Sequence, residues 1–320
     1  MGENVTMPSA VNTEVRIGRM LLRNPVTVAS GTFGYASEFS GFLDLRELGA
    51  VTTKTITLRP RRGNPPPRTC ETPAGMLNSV GLENPGIDVF LRDKLPYIAG
   101  YKVPVIVSIA SESGNREFVE LAGRLDRCRD AAAIELNISC PNLRHKTESK
   151  GAHLIAQDAR ATYRLVKAVR AATKKTIITK LSPNVTDIGT IAEAAEAAGS
   201  DALSMINTIS GMSIDIESRR PKIGAVVGGL SGPAIRPVAV RMVWETSKRV
   251  RIPIIGMGGI GDTSDALEFI MAGASAVGVG TGNFLRPSAA AGIARGIKEY
   301  LRLHRIGNIN ALRKGLKYAR

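Results

Sequence analysis

AIELNISCPN, residues 133–142, begins as a strand and ends as chemistry. Ile134, Leu136 and Ile138 alternate with other residues, as in a buried strand. Pro141 stops the pattern, because proline cannot donate to a central ladder. The tail gathers Asn137, Ser139, Cys140 and Asn142. A thiol and two amides at the carboxyl end of a strand stand where an α/β barrel keeps its active site. The bland alternative is a buried structural cysteine beside an asparagine-rich turn, since free cysteine usually behaves as a small hydrophobe. The choice turns on whether the rest of the chain builds a barrel.

Working outward, seven more apolar runs bounded by turn residues read as strands: VTVASG (26–31), AVTTKT (50–55), PVIVSIA (104–110), TIITKLS (176–182), ALSMINT (202–208), IPIIGMGG (252–259) and AVGVGTG (276–282). Several are almost continuously apolar, as parallel strands covered on both faces must be. Amphipathic helical patterns lie between most of them: FVELAGRLDRCRDA, AQDARATYRLVKAVRAAT, IGTIAEAAEAAGS, AIRPVAVRMVWETSKRV and TSDALEFIMAGA. Eight βα units without a linker predict a (β/α)8 TIM barrel, one domain over residues 1–320. TEVRIGRMLLRN reads as a short N-terminal hairpin, and the long insertions 56–103 and 209–233 as candidate lids.

Composition bounds the partners. The 320 residues are 43% hydrophobic, ordinary for a globular protein with a large core. No apolar run reaches bilayer length, and the opening MGENVTMPSAVNT lacks a signal peptide's apolar centre. A cytoplasmic protein with no membrane partner is expected. Cys70, Cys128 and Cys140 are far apart, with no CxxC or Cys/His cluster, so no metal site is expected on this chain. The net charge of +15 raises nucleic acid as a partner. The excess is dispersed, however, apart from RPRRGNPPPR (59–68), read as a mobile loop, and the last twenty residues. Neither segment interleaves aromatics as a single-strand binder would. A basic nucleic-acid-binding protein is therefore the alternative, and no nucleic-acid partner is expected.

Polar residues collect where the predicted strands end: Ser30, Lys54, Thr55, Asn137, Cys140, Lys180, Asn207 and Thr208, with glycines at Gly258, Gly259 and Gly280 before Thr281. GMGGIG (256–261) matches a dinucleotide fingerprint, but the following strand lacks the acid that would hold a ribose. With GVGTG it fits instead the phosphate site after strands seven and eight of a barrel, where backbone amides hold the anion. MLNSVGLENPG (76–86) has the composition of a loop that closes over a ligand. Asn78, Asn84, Asn137, Asn142 and Asn207 offer carboxamides suited to a ring with alternating C=O and N–H edges, such as a pyrimidine, and Lys54 suits a carboxylate. Asn-rich turns are the plainer reading of each amide taken singly. A thiol at Cys140 would act as a base if basic neighbours lowered its pKa.

At these residues the sequence resembles the class 1 dihydroorotate dehydrogenases. The likeness runs through VASGTFGY, TTKTIT, MLNSVGLENPG, IELNISCPN, TKLSPNVTDI, INTISGMSIDIESRRP, GGLSGPAIRP, IPIIGMGGI and GVGTGNF. SPNVTDI and RRPKIGAVVGGLSGPAI are most similar to the NAD-linked class 1B catalytic subunit. The resemblance implies a barrel binding FMN, and oxidation of (S)-dihydroorotate to orotate in UMP biosynthesis. It places Cys140 as the base that takes a proton from C5 while a hydride leaves C6 for flavin N5. It implies substrate contacts at Lys54, Asn78, Ser79, Val80, Gly81, Leu82, Asn137, Asn142, Asn207 and Thr208. It implies flavin contacts at Ser30, Lys54, Thr55, Ser108, Asn137, Lys180, Ile206, Gly232, Gly258, Gly259, Gly280 and Thr281. Lys180 would stabilise negative charge on the reduced ring. Electrons would pass to NAD+ through a partner subunit carrying FAD and a [2Fe–2S] cluster, the catalytic subunits dimerising within a heterotetramer. An enzyme of the same fold acting on neutral dihydropyrimidines is the nearer alternative. Two departures stand out: Ser108 replaces the family's common Asn, and HKTESKGAH (145–153) replaces its glycine-rich continuation.

Overall fold

The computed structural model describes residues 11–138, 155–313 and 316–317. All eight expected strands form: β1 Val26–Val28, β2 Val51–Thr52, β3 Val105–Ile109, β4 Ala133–Asn137, β5 Thr176–Lys180, β6 Ala202–Met205, β7 Ile254–Met257 and β8 Ala276–Val279. They are shorter than the apolar runs, because the ends of those runs leave the ladder to become loops at the barrel mouth. The sheet runs β1-β8-β7-β6-β5-β4-β3-β2, and its neighbours pair in parallel. Across the seam between β1 and β2, Gly49 N donates to Val26 O at 2.8 Å. The Thr27 and Thr52 hydroxyls meet there at 3.1 Å. The fold is the expected (β/α)8 barrel.

Helices return the chain between strands: α1 Asn115–Asp126, α2 Ala159–Ala172, α3 Ile188–Ala197, α4 Arg236–Ser247 and α5 Thr263–Met271. Three start on aspartates that satisfy otherwise orphaned amides: Asp158 for α2, Asp187 for α3, and Asp262 in a capping box with Asp265 for α5. After β8 come α6 Gly282–Leu285, α7 Ala289–Leu303 and α8 Ile309–Arg313. The sequence patterns did not reveal α7. Its Gly296 is needed for close packing on α5, since a Cβ there would lie 2.0 Å from Thr263 Oγ1. At the other end of the barrel, Val15–Ile17 and Met20–Leu22 form the predicted hairpin.

The two insertions are not separate lids. Thr69–Thr72 and Gly75–Asn78 from the first join Ile209–Gly211 and Gly228–Ser231 from the second in one four-stranded antiparallel sheet. Gly229 pairs with Asn78 in its centre. Glycine is required there, because a Cβ on Gly229 would sit 2.0 Å from Thr208 Oγ1. The basic stretch 59–68 is tied down rather than loose: Arg61 pairs with Glu112 at 2.9 Å and Arg68 with Glu83 at 2.6 Å.

Candidate active site

A cavity of about 300 Å³ lies between the carboxyl ends of the barrel strands and the insertion sheet. Ser30, Lys54, Thr55, Asn137, Lys180, Ile206, Asn207 and Thr208 line it from the strand ends. Asn78, Val80, Gly81 and Leu82 enter from the first insertion, and Gly232, Gly258, Gly259, Gly280 and Thr281 form the far wall. Residues from distant parts of the chain therefore converge on one space.

Strand register explains the floor. Asn137 on β4 lies beside Lys180 on β5, and Lys180 beside Ser204 on β6. Lys180 is 4% exposed, so its ammonium needs partners to offset lost hydration. Its Nζ donates to Ser30 Oγ at 2.8 Å and lies 4.0 Å from Glu135 Oε1. Asn137 Nδ2 donates to Thr55 Oγ1 at 3.0 Å. On the roof, Asn78 Nδ2 donates to Gly229 O at 3.2 Å, anchoring the first insertion to the second. Thr208 N donates to Asn207 Oδ1 at 2.8 Å, and Asn184 Nδ2 to Thr208 O at 3.1 Å, fixing the loop after β6.

The far wall is backbone. Gly258 has φ +130° and Gly259 φ +80°, conformations that favour glycine. A Cβ on Gly259 would meet Gly232 O and Arg236 Cβ, each at 2.8 Å. Behind this turn the Asp265 carboxylate accepts from Gly261 N at 2.8 Å and Asp262 N at 3.2 Å, while Arg236 pairs with Asp265. Thr281 Oγ1 donates to Ser231 Oγ at 2.9 Å, linking β8 to the insertion sheet. Side-chain-free backbone at the ends of β7 and β8, beside the short helix α6, is the cradle a phosphate group needs. The flat polar floor of Asn137, Thr55 and Lys180 suits a planar ring with carbonyl and N–H edges. These features fit FMN.

Some expected residues lie elsewhere. Ser108 does not line the cavity: it is fully buried beneath it, its hydroxyl donating to Glu135 Oε1 at 3.0 Å and meeting Thr55 Oγ1 at 2.9 Å. Ser79 is 1% exposed behind the roof, its hydroxyl accepting from Asn64 Nδ2 at 2.8 Å. Asn84 is a turn builder: its Oδ1 accepts from Gly86 N and its Nδ2 donates to Leu82 O and Thr57 Oγ1. Cys140 and Asn142 lie outside the described residues. The sequence reading missed Thr69, Ser231 and Phe284 in the lining. Thr69 and Ser231 arrive with the insertion sheet, and only the glycine pair Gly228–Gly229 hinted at it.

A family model described as dihydroorotate dehydrogenase matches residues 13–301. The dihydroorotate dehydrogenase B (NAD(+)), catalytic subunit, of Desulforudis audaxviator is 54% identical over 302 residues, covering 94% of this chain and 96% of that one. Its namesake from Trichlorobacter lovleyi is 52% identical over 298 residues, covering 93% and 96%. A crystal structure of DHODH in complex with ferulenol from Eimeria tenella has the same fold, with TM-score 0.77 at 24% identity over 97% of this chain and 90% of that one. The chain belongs to the dihydroorotate dehydrogenase family.

Proposed function

We infer that this protein is the FMN-dependent catalytic subunit of an NAD-linked dihydroorotate dehydrogenase, oxidising (S)-dihydroorotate to orotate in pyrimidine biosynthesis. The observation that carries the reading is the convergence of strand-end polar groups and a glycine wall on one cavity. Bound FMN supplies the hydride acceptor. The turn at Gly258 and Gly259, with Gly280 and Thr281, holds its phosphate. Lys180, fixed between Ser30 and Glu135, sets a positive charge beside the ring. Lys54 binds the substrate carboxylate, and Asn78, Asn137 and Asn207 read the carbonyl and N–H edges of its ring. Cys140, two positions before Asn142 in the sequence, removes the C5 proton.

The family names fit a division of labour in which FAD and a [2Fe–2S] cluster reside on a partner subunit. The working assembly is a homodimer of this chain within a heterotetramer, in the cytoplasm. No helix among the described residues is long and apolar enough to cross a membrane. The test is anaerobic reduction of the purified flavoprotein by dihydroorotate, with dihydrouracil as the neutral competitor. Bleaching of the flavin by dihydroorotate alone is expected. A protein that cannot be loaded with FMN, or that prefers dihydrouracil, would overturn the assignment.

A further inference from the structure

The barrel interior below the cavity holds a carboxylate that does more than lie 4.0 Å from the Lys180 ammonium. Glu135 is 2% exposed. Its Oε1 accepts from Ser108 Oγ at 3.0 Å and its Oε2 from Ser204 Oγ at 2.8 Å. Ser108 Oγ in turn lies 2.9 Å from Thr55 Oγ1, which accepts from Asn137 Nδ2 at 3.0 Å. Strand register builds the array, with Ser108 on β3 directly beside Glu135 on β4.

The donors and acceptors admit one order. A carboxylate only accepts, and each hydroxyl has a single proton to give. Ser108 spends its proton on Glu135, so in its contact with Thr55 it must accept. Thr55 spends its proton on Ser108, so it must accept from Asn137. The Asn137 amide is thereby held with its NH2 branch on Thr55 and its carbonyl branch turned away. Were the chain to lose its carboxylate end, Thr55 would be free to donate to Asn137, and the amide could flip.

We propose that Glu135 is a positioning residue: acting through Ser108 and Thr55, it fixes which end of the Asn137 amide meets the substrate, and so selects a ring N–H over a ring C=O there. The inference rests on the proposed function. Ser204 supplies the internal control, since it bonds the same carboxylate but is no part of the chain to Asn137.

The test is orotate binding to the FMN-loaded enzyme, read from the perturbed flavin absorbance, with FMN content and Tm measured alongside. S108A and E135L, which leaves Ser108 no acceptor on β4, are each expected to weaken orotate roughly ten- to a hundred-fold, as for one mispaired buried polar group, with FMN still bound. The double variant should be no weaker than the worse single, because both cut one chain. S204A should leave orotate affinity within about two-fold, even if Tm falls. S108A that binds orotate like the parent overturns the inference, as does S204A that weakens binding as much as S108A. If E135L does not fold, the contrast between S108A and S204A decides alone. A parent enzyme that neither binds orotate nor is reduced by dihydroorotate overturns the proposed function, and this inference with it.

Discussion

Gly259→Ala puts the cofactor cradle to its sharpest test. At φ +80°, a Cβ costs about 1–2 kcal/mol by itself. It would also approach Gly232 O and Arg236 Cβ to 2.8 Å, and Arg236 N to 3.1 Å. Neither neighbour gives easily. Gly232 O is backbone, and Arg236 is gripped by Asp265 and by Glu268 at 3.5 Å. The turn must therefore shift, and its next residues resist because Asp265 holds the Gly261 and Asp262 amides. Adding this crowding gives about 1–3 kcal/mol in all, or roughly 5- to 150-fold in affinity if it falls on the cofactor-holding conformation. Titrating FMN into deflavinated protein, with flavin fluorescence as the signal, measures that loss directly. Without FMN the turn can relax, so the apoprotein's Tm should fall by less than the lost binding energy implies. A G259A variant with parental FMN affinity and a lowered apoprotein Tm would show the residue to be a structural turn, and would refute the cradle.

Three other outcomes follow from the structure and the sequence. Cys140→Ala or Cys140→Ser should slow reduction of the bound flavin by dihydroorotate by about 10²- to 10⁴-fold, the range of a lost general base, in stopped-flow traces; unchanged traces would remove Cys140 from the chemistry. Gly123→Ala in α1 and Gly292→Ala in α7 place a methyl where no neighbour lies within 4 Å, so each should stabilise by about 0.5–1 kcal/mol in chemical denaturation without altering FMN affinity. The Arg249 side chain, and then the Thr190 hydroxyl and the Gly189 amide, hold the Asp187 carboxyl well below its usual range. Because the folded-state pKa is the lower one, this stabilisation is present above about pH 4 and is lost as pH falls further. Both side chains are substantially exposed, so the ion pair contributes at most about 1 kcal/mol. Tm of the parent should therefore fall more steeply than that of Asp187→Asn below about pH 4, and parallel curves would contradict the linkage.

The barrel was legible because parallel strands covered on both faces leave nearly unbroken apolar runs, and because strand ends put Lys54, Asn137, Lys180 and Asn207 at one rim. What stayed hidden depends on meetings that local pattern does not encode. The insertion strands Gly75–Asn78 and Gly228–Ser231 are about 150 positions apart, and neither alternates cleanly. Their signal was negative: consecutive glycines where Asn78 O and Thr208 leave no room for a side chain. The helix α7 was masked in the same way by Gly292 and Gly296, the second needed for its contact with Thr263.

Ser108 and Asn84 show the finer limit. Both stand next to cavity-lining residues in sequence or space, yet each has its polar atoms taken by the protein's own groups. For Ser108 a clue was present within AIELN itself. A glutamate in the middle of an apolar strand must be buried, and a buried carboxylate requires donors from the adjoining strands. β3 offers Ser108 at that register, and β6 offers Ser204 one strand beyond β5. A serine spent in this way has no proton left to give a flavin. The residue pattern thus tells which side chains reach the cavity, whereas the direction in which their protons point follows from the one neighbour able only to accept.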